Sequence, residues 1–440
     1  MKLGIRTEDK SQWERRVPLV PADAKALQDA GIDVAVQTSH HRAFPDGEFT
    51  EAGVAVQEAL NDCNIIVGIK EIPKDKLEAG KVYLFFPHVI KGQPANMPML
   101  QRLMQLKATL VDYERIVDEK SRRLIFFGRH AGLAGMINTL WSLGKRLEVE
   151  GSASAFNRLK QARTYADLSG AKEDLKRIAA RIAADGIPAA IHPLVVGFTG
   201  YGNVSQGAQE ILDLLPVQEV SPPELNRMAH DPACDARRVY KVVFKEADLF
   251  EPLAAGSGFD LDDYYRRGAG AYRGVFDRYV EELSVLVNCI YWDARFPRLL
   301  TLDQSRRLWA PGRSPKLKVI GDISCDVGGS IECTVKATDP GNPVYVYEPA
   351  TGTARDGFGG NGPVVMAVDI LPSEIPRESS VDFSRVLKPL LPQLAAADLS
   401  KPFAELALPP ELKRAVIVYK GELTPDYAYL NSFLAAGARP

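Results

Sequence analysis

The sequence predicts an α/β protein of two domains whose parallel sheets flank an active-site cleft, and three observations predict it. Short apolar runs alternate with helical segments over about 130 residues from the start, the pattern of parallel βαβ units. A second region of the same kind opens at residue 194 with a strand, a glycine turn and a helix. The length of 440 residues exceeds what one ordinary hydrophobic core serves.

The elements follow in order. Residues 2–6, 32–37, 64–70, 82–86 and 109–111 have the apolar, β-branched or aromatic content of strands, and 123–127 looks similar. Residues 21–30 read as a helix that stops at Gly31, and 131–147 as a helix whose small residues lead into Met136, Ile137, Leu140 and Leu143. A charged helical stretch follows over residues 156–184 and ends at Gly186. Further strands are expected at 194–199, 217–220, 318–323 and 364–368. Residues 221–274, with Pro222, Pro223 and an acidic group around Asp260, read as helix and loop. Residues 381–394 read as a helix capped by Ser379 or Ser380.

Composition excludes several classes of function. Charged residues make up 25% and hydrophobic residues 46%, which is ordinary for a folded domain. A net charge of -2 gives nucleic acid or an anionic membrane no electrostatic hold, so the expected partner is a small molecule. A homo-oligomer is compatible with all of this. Arg6, Glu8, Asp9 and Lys10 interrupt the start where a signal peptide needs an apolar run. The longest stretch without Asp, Glu, Lys or Arg, from Gly186 to Gln209, contains Pro188, Pro193 and several glycines, so it reads as strand and turn, not as a membrane span. Cys63, Cys234, Cys289, Cys325 and Cys333 are odd in number and lack zinc spacing. No metal site is expected, and a reducing cytoplasm suits them.

The turn after the strand at 194–199 reads Gly200-Tyr201-Gly202-Asn203-Val204-Ser205-Gln206-Gly207. Gly200 permits a tight turn, Gly202 lets backbone approach a pyrophosphate, and the helix starting at Asn203 and Val204 offers free N–H groups. The third glycine of the usual fingerprint is displaced, with Ser205 in its place and Gly207 two residues later. A carboxylate normally ends the second strand and holds the adenosine ribose; here the tip is Ser221. Loss of that charge favours NADP over NAD, with Arg227 available to a 2′-phosphate, although Glu224 is placed to fold back to a ribose.

In the first region Lys70 and His88 end two buried strands, where active sites of open parallel sheets gather. Arg16 follows the first strand, and Arg122 and Arg123 precede residues 124–127. Taken singly, each has a structural explanation. Two titratable groups at comparable strand ends are harder to dismiss.

Long strings carry a family likeness: WERRVPLVP from Trp13, FFPHVIKGQPANMPML from Phe85, LVDYERIVD from Leu110 and FGRHAGLAGMI from Phe127. FTGYGNVSQGAQEI from Phe198, NCIYWDARFPRLLT from Asn288, ISCDVGGSIE from Ile323 and LTPDYAYL from Leu423 continue it. The chain resembles the lysine–2-oxoglutarate reductase half of aminoadipic semialdehyde synthase, lysine-forming saccharopine dehydrogenase, and beyond them the alanine dehydrogenase and transhydrogenase superfamily. The resemblance implies two Rossmann-like domains, with residues 1–130 and 378–440 carrying substrate and catalysis and 131–377 binding NADP, which is favoured, or NAD. It implies condensation of lysine with 2-oxoglutarate and reduction of the imine to saccharopine. Lys70 and His88 fall on the catalytic positions, with the acid and base roles interchangeable. Arg16, Glu114 and Arg123 fall on substrate positions. Ile290, in the Asn288 string, is expected among the cofactor-binding residues, and Asp326 in the loop near the nicotinamide. The rival readings are reductive amination with ammonia or another amine, and a catalytically silent NADP(H) sensor.

Overall fold

In the first 127 residues, short strands with mostly buried residues at the centre of the sheet collect into one layer: β1 (Lys2–Ile5), β2 (Asp33–Gln37), β3 (Ala55–Gln57), β4 (Ile65–Val67), β5 (Val82–Phe85) and β6 (Thr109–Asp112). The middle of the chain supplies β7 (Leu194–Thr199), β8 (Val217–Glu219), β9 (Val239–Phe244), β10 (Phe250–Pro252), β11 (Tyr272–Gly274), β12 (Val285–Asn288), β13 (Val319–Asp322), β14 (Val344–Glu348), β15 (Thr353–Asp356) and β16 (Val364–Met366). The last segment returns with β17 (Val416–Tyr419) and β18 (Glu422–Leu423). The computed structural model describes residues 1–228 and 234–437; residues 229–233, part of the stretch read as helix and loop, and 438–440 lie outside the described residues. The chain divides into two units, residues 1–127 with 376 onward, and residues 128–375.

The first unit is built on a sheet of order β18-β17-β6-β5-β4-β1-β2-β3. From β6 to β3 all pairings are parallel, and β17 and β18 extend it antiparallel beyond β6. The chain starts in the middle at β1, winds out to β3, and returns to β4 to wind the other way. The switch therefore lies between β1 and β4, and ligands in such sheets bind outside the carboxyl ends there. Every residue of β5 is buried, as expected of a strand covered on both faces.

The second unit has a sheet of order β15-β14-β16-β13-β12-β7-β9-β8, parallel from β16 to β8. Here the fold departs from the sequence reading. β9, β12, β14 and β15 are additional strands of this sheet, and β9, like β10 and β11, lies inside the segment read as helix and loop. Lys241 breaks its apolar run; in the fold that ammonium is buried because Asp213 and Glu219 each approach it at 3.0 Å.

Three further expectations change. Residues 123–127 form no strand, only a single bridge between Val117 and Arg123, because the side of β6 away from β5 is already taken by β17. The long helix begins at Leu168, where the Asp167 carboxylate accepts from the Gly170 N–H at 2.9 Å. Only 3-10 turns precede it at Ala155–Arg158 and Ala162–Thr164. The C-terminal helix starts at Pro376 and runs to Leu387, since proline suits the first helical position. Ser379 and Ser380 lie inside it, and the Ser380 hydroxyl accepts from the Val17 N–H at 2.9 Å. No helix among the described residues is long and apolar enough to cross a membrane.

Candidate active site

The first unit gathers its chemistry just past the ends of β1, β4 and β5. Glu8, beyond β1, is buried and uses both carboxylate oxygens on the end of β4, accepting from the Ile69 N–H at 2.7 Å and the Lys70 N–H at 3.0 Å. Burial pushes the Glu8 carboxyl up to about 7, against the pull of Arg6. The clamp fixes the backbone from which Lys70 projects. Beyond β5 the chain turns sharply and His88 takes a left-handed conformation, φ 47°, an uncommon state for a residue other than glycine and one that clusters at functional sites. Its Nδ1 lies 2.8 Å from Glu71 Oε1, and its ring stacks on Phe86 at 6.1 Å. Burial works against an ionised Glu71, but the His88 bond, a backbone bond and the charges of His88 and Lys10 hold it at about 2. Glu71 is therefore an acceptor at neutral pH. The hydrogen on that edge belongs to His88, so Nε2 is the working nitrogen of the neutral ring.

Around this pair the structure places the remaining first-unit candidates. Arg16 is buried and bound edge-on by Glu14, with Nε at 2.7 Å and Nη2 at 2.6 Å, and it lies over the Phe127 ring at 4.2 Å. The Nε edge expected to clamp a substrate carboxylate is thus occupied, which leaves the outer Nη edge. Glu114 pairs with Arg123 at 3.0 Å, so its charge is met within the chain. Arg123 itself is half exposed. The Glu114 N–H donates to Asp112 at 2.8 Å, and burial pushes the Asp112 carboxyl up to about 8. Beneath these groups Phe86, Tyr113, Phe127 and Phe383 pack ring to ring at 5.0–6.2 Å, an apolar floor that excludes water from one side of His88.

In the second unit the turn has the geometry of a phosphate cradle. Gly200 has φ 87°, and a side chain there would meet Ile290 at 2.9 Å, which puts Ile290 against the turn. Gly202 precedes the helix Asn203–Leu212 with open space where a Cβ would sit and no side-chain cap on the first N–H groups. The displaced third glycine has its own explanation. A Cβ on Gly207 would fall 2.1 Å from the Arg129 carbonyl, and one on Gly132 would fall 2.0 Å from that of Val204, so Gly132 and Gly207 let the helix Gly128–Val149 touch the cofactor helix backbone to backbone. Ser205, in the usual glycine position, is fully buried. Asp326 is exposed in the loop after β13. Behind the turn, Thr199, Asn288 and Asp322 join the ends of β7, β12 and β13 through hydrogen bonds of 2.8 Å each.

Ser221 is not where the fingerprint requires it. It ends the edge strand β8, and β9 stands between β8 and β7. Its N–H and hydroxyl both donate to Glu224, at 2.8 and 2.6 Å, so a carboxylate is present even at that tip. Among the described residues no group of His, Cys, Asp and Glu is arranged to hold a metal ion.

Residues 4–134 match the alanine dehydrogenase/PNT N-terminal domain. The chain is 37% identical, over 97% of its length, to the alpha-aminoadipic semialdehyde synthase of Arabidopsis thaliana. The saccharopine dehydrogenase (NAD(+), L-lysine-forming) of Emericella nidulans is 28% identical over 89% of the chain and 92% of its own length. The chain is a homologue of both. It spans 41% of the Arabidopsis protein. An L-alanine dehydrogenase structure superposes over 100% of both chains with a TM-score of 0.63 at 17% identity, which shows the shared fold. The sequence alone did not single out Glu8, Glu14 or Glu71. Glu71 adjoins Lys70, and an acidic residue next to a strand-end lysine is a signal that was legible. Glu8 and Glu14 carried none, because their partners are set by the tertiary fold.

Proposed function

We propose that this chain condenses the ε-amine of lysine with the ketone of 2-oxoglutarate and reduces the imine to saccharopine, or runs the reverse. The observation that carries the reading is the Glu71–His88 pair at the strand ends that also present Lys70. The lysine amine must lose a proton before it attacks, and the carbinolamine oxygen must gain one before it leaves as water. His88 serves both demands through Nε2, taking a proton as the neutral ring and returning it as the imidazolium that Glu71 stabilises. Lys70, held by the Glu8 clamp, is its partner for the amine and imine protons. Arg123 and the outer edge of Arg16 suit the carboxylates of 2-oxoglutarate and of the product.

The reductant in this reading is a nicotinamide dinucleotide seated on Gly200, Gly202, Asn203 and Val204, with Ile290 packed beneath the turn. The E. nidulans relative carries NAD(+) in its name. Bound there, the nicotinamide supplies the hydride that reduces the imine carbon. The NADP preference read from Ser221 loses its basis, because that residue ends the edge strand.

A panel of amines against 2-oxo acids, run with NADH and with NADPH, tests the reading. Turnover that requires lysine and 2-oxoglutarate together is the expected result. Full replacement of lysine by ammonia would point instead to an amination of the alanine dehydrogenase kind.

A further inference from the structure

The strand that follows the cofactor helix in sequence does not stand beside β7 in space. β9 takes that place and pairs with β7 along its whole length, from Leu194 with Val239 to Thr199 with Phe244. The contact runs on into the turn, where the Gly200 N–H donates to the Phe244 carbonyl at 3.1 Å. Ser221 stands two strands from β7, roughly 10 Å at ordinary strand spacing. In dinucleotide folds the residue that meets the adenosine ribose comes from the tip of the first strand's immediate neighbour. Here that tip is Lys245-Glu246.

Glu246 lies against the turn. Its Oε1 accepts from the Tyr265 hydroxyl at 2.6 Å. The phenol of Tyr201 is raised first by the charge of Glu246, then by burial, and also by a hydrogen bond to Glu246. Tyr201 is the middle residue of Gly200-Tyr201-Gly202 and is 45% exposed; Tyr265 is 48% exposed. A carboxylate therefore sits between two open rings at the mouth of the phosphate cradle. Lys245 is exposed and its N–H donates to Asp248 at 2.8 Å, so the tip carries two carboxylates against one ammonium.

We propose that Glu246 reads the adenosine ribose, accepting from both its hydroxyls, and that this chain binds NAD(H) in preference to NADP(H). The assignment rests on the reading of the turn as a dinucleotide site and goes beyond it in naming the cofactor. An ionised carboxylate accepts hydrogen bonds and donates none, which fits a diol. It repels a 2′-phosphate, whose oxygens also only accept.

Equilibrium titration of the full chain with NADH and with NADPH, followed by quenching of tryptophan emission, needs no substrate and no turnover. The unmodified chain is expected to bind NADH at least about tenfold more tightly than NADPH. Glu246→Ser and the near-isosteric Glu246→Gln should each weaken NADH by on the order of 10- to 100-fold, the worth of hydrogen bonds to a charged group, and strengthen NADPH. Ser221→Ala should change neither, and Lys245→Ala should leave the order of preference intact. Tighter binding of NADPH by the unmodified chain, or an unaltered NADH to NADPH ratio in both Glu246 variants, overturns the assignment and leaves the proposed reaction standing. Binding of neither nucleotide overturns the dinucleotide reading itself, and the assignment with it.

Discussion

Glu71→Gln removes one charge from the strand-end cluster of the first unit and keeps the shape of the side chain. Glu71 Oε1 is 2.8 Å from His88 Nδ1, and Lys10 approaches the other oxygen at 3.6 Å. Burial would raise this carboxyl, yet its partners hold it at about 2 where a free glutamate stands at 4.5. That displacement corresponds to about 3 kcal/mol in favour of the carboxylate in the folded protein. The folded value lies below the unfolded one, so the stabilisation is complete above about pH 4.5 and is lost as the pH falls towards about 2. Urea denaturation of the two proteins should therefore show a gap of up to about 3 kcal/mol near neutral pH that closes across that window. In turnover, a neutral amide replaces a charge-assisted acceptor, and the imidazolium formed during catalysis loses its counter-charge. A cost of about 1.5 kcal/mol lowers kcat about tenfold, with nucleotide affinity unchanged. A kcat within about twofold of wild type, or a stability gap independent of pH, would refute the role assigned to the pair.

Other outcomes follow from the same structure. His88→Gln and Lys70→Met should each cut kcat by at least about 100-fold, in the range of general acid–base catalysis, while nucleotide titration stays near wild type; matched losses of affinity and rate would count against the assignment. Gly202→Ala and Gly207→Ala should separate binding from stability. The first adds a methyl to open space and should abolish nucleotide binding with little change in Tm. The second drives a Cβ to 2.1 Å from the Arg129 carbonyl and should cost about 2 kcal/mol or more by denaturation. Asp112→Asn tests the opposite sign of linkage. Burial lifts the Asp112 carboxyl from 3.8 to about 8, so wild type should lose stability relative to the variant as the pH rises from about 4 to about 8. A difference that stays flat across that range would contradict a neutral Asp112.

Strand ends were the most legible feature of this sequence. β7 was readable to the residue, because Leu194–Thr199 is a mostly apolar run without a charge, flanked by Pro193 and Gly200. Lys70 and His88 stood out because each follows such a run. β9 was hidden for a physical reason: its apolar pattern is broken by Lys241, which is tolerated only because Asp213 and Glu219, distant in sequence, neutralise it. With β9 hidden, Ser221 took the place that belongs to Glu246. The Glu8 clamp joins residues 61 and 62 positions apart, a spacing that neither helical nor strand periodicity reports. The displaced glycine weakened the fingerprint in the sequence, yet Gly207 serves a helix-to-helix contact that only the packed chain reveals.

In the proposed condensation the amine of lysine becomes the secondary amine of the product. Lysine carrying heavy nitrogen at its ε-amine, incubated with 2-oxoglutarate, the protein and reduced nicotinamide cofactor, tests it in one reaction read by mass spectrometry. The expected product is saccharopine in which lysine and 2-oxoglutarate are joined through the labelled nitrogen. Glutamate formed with lysine left intact, or cofactor oxidation with no labelled product, would contradict it.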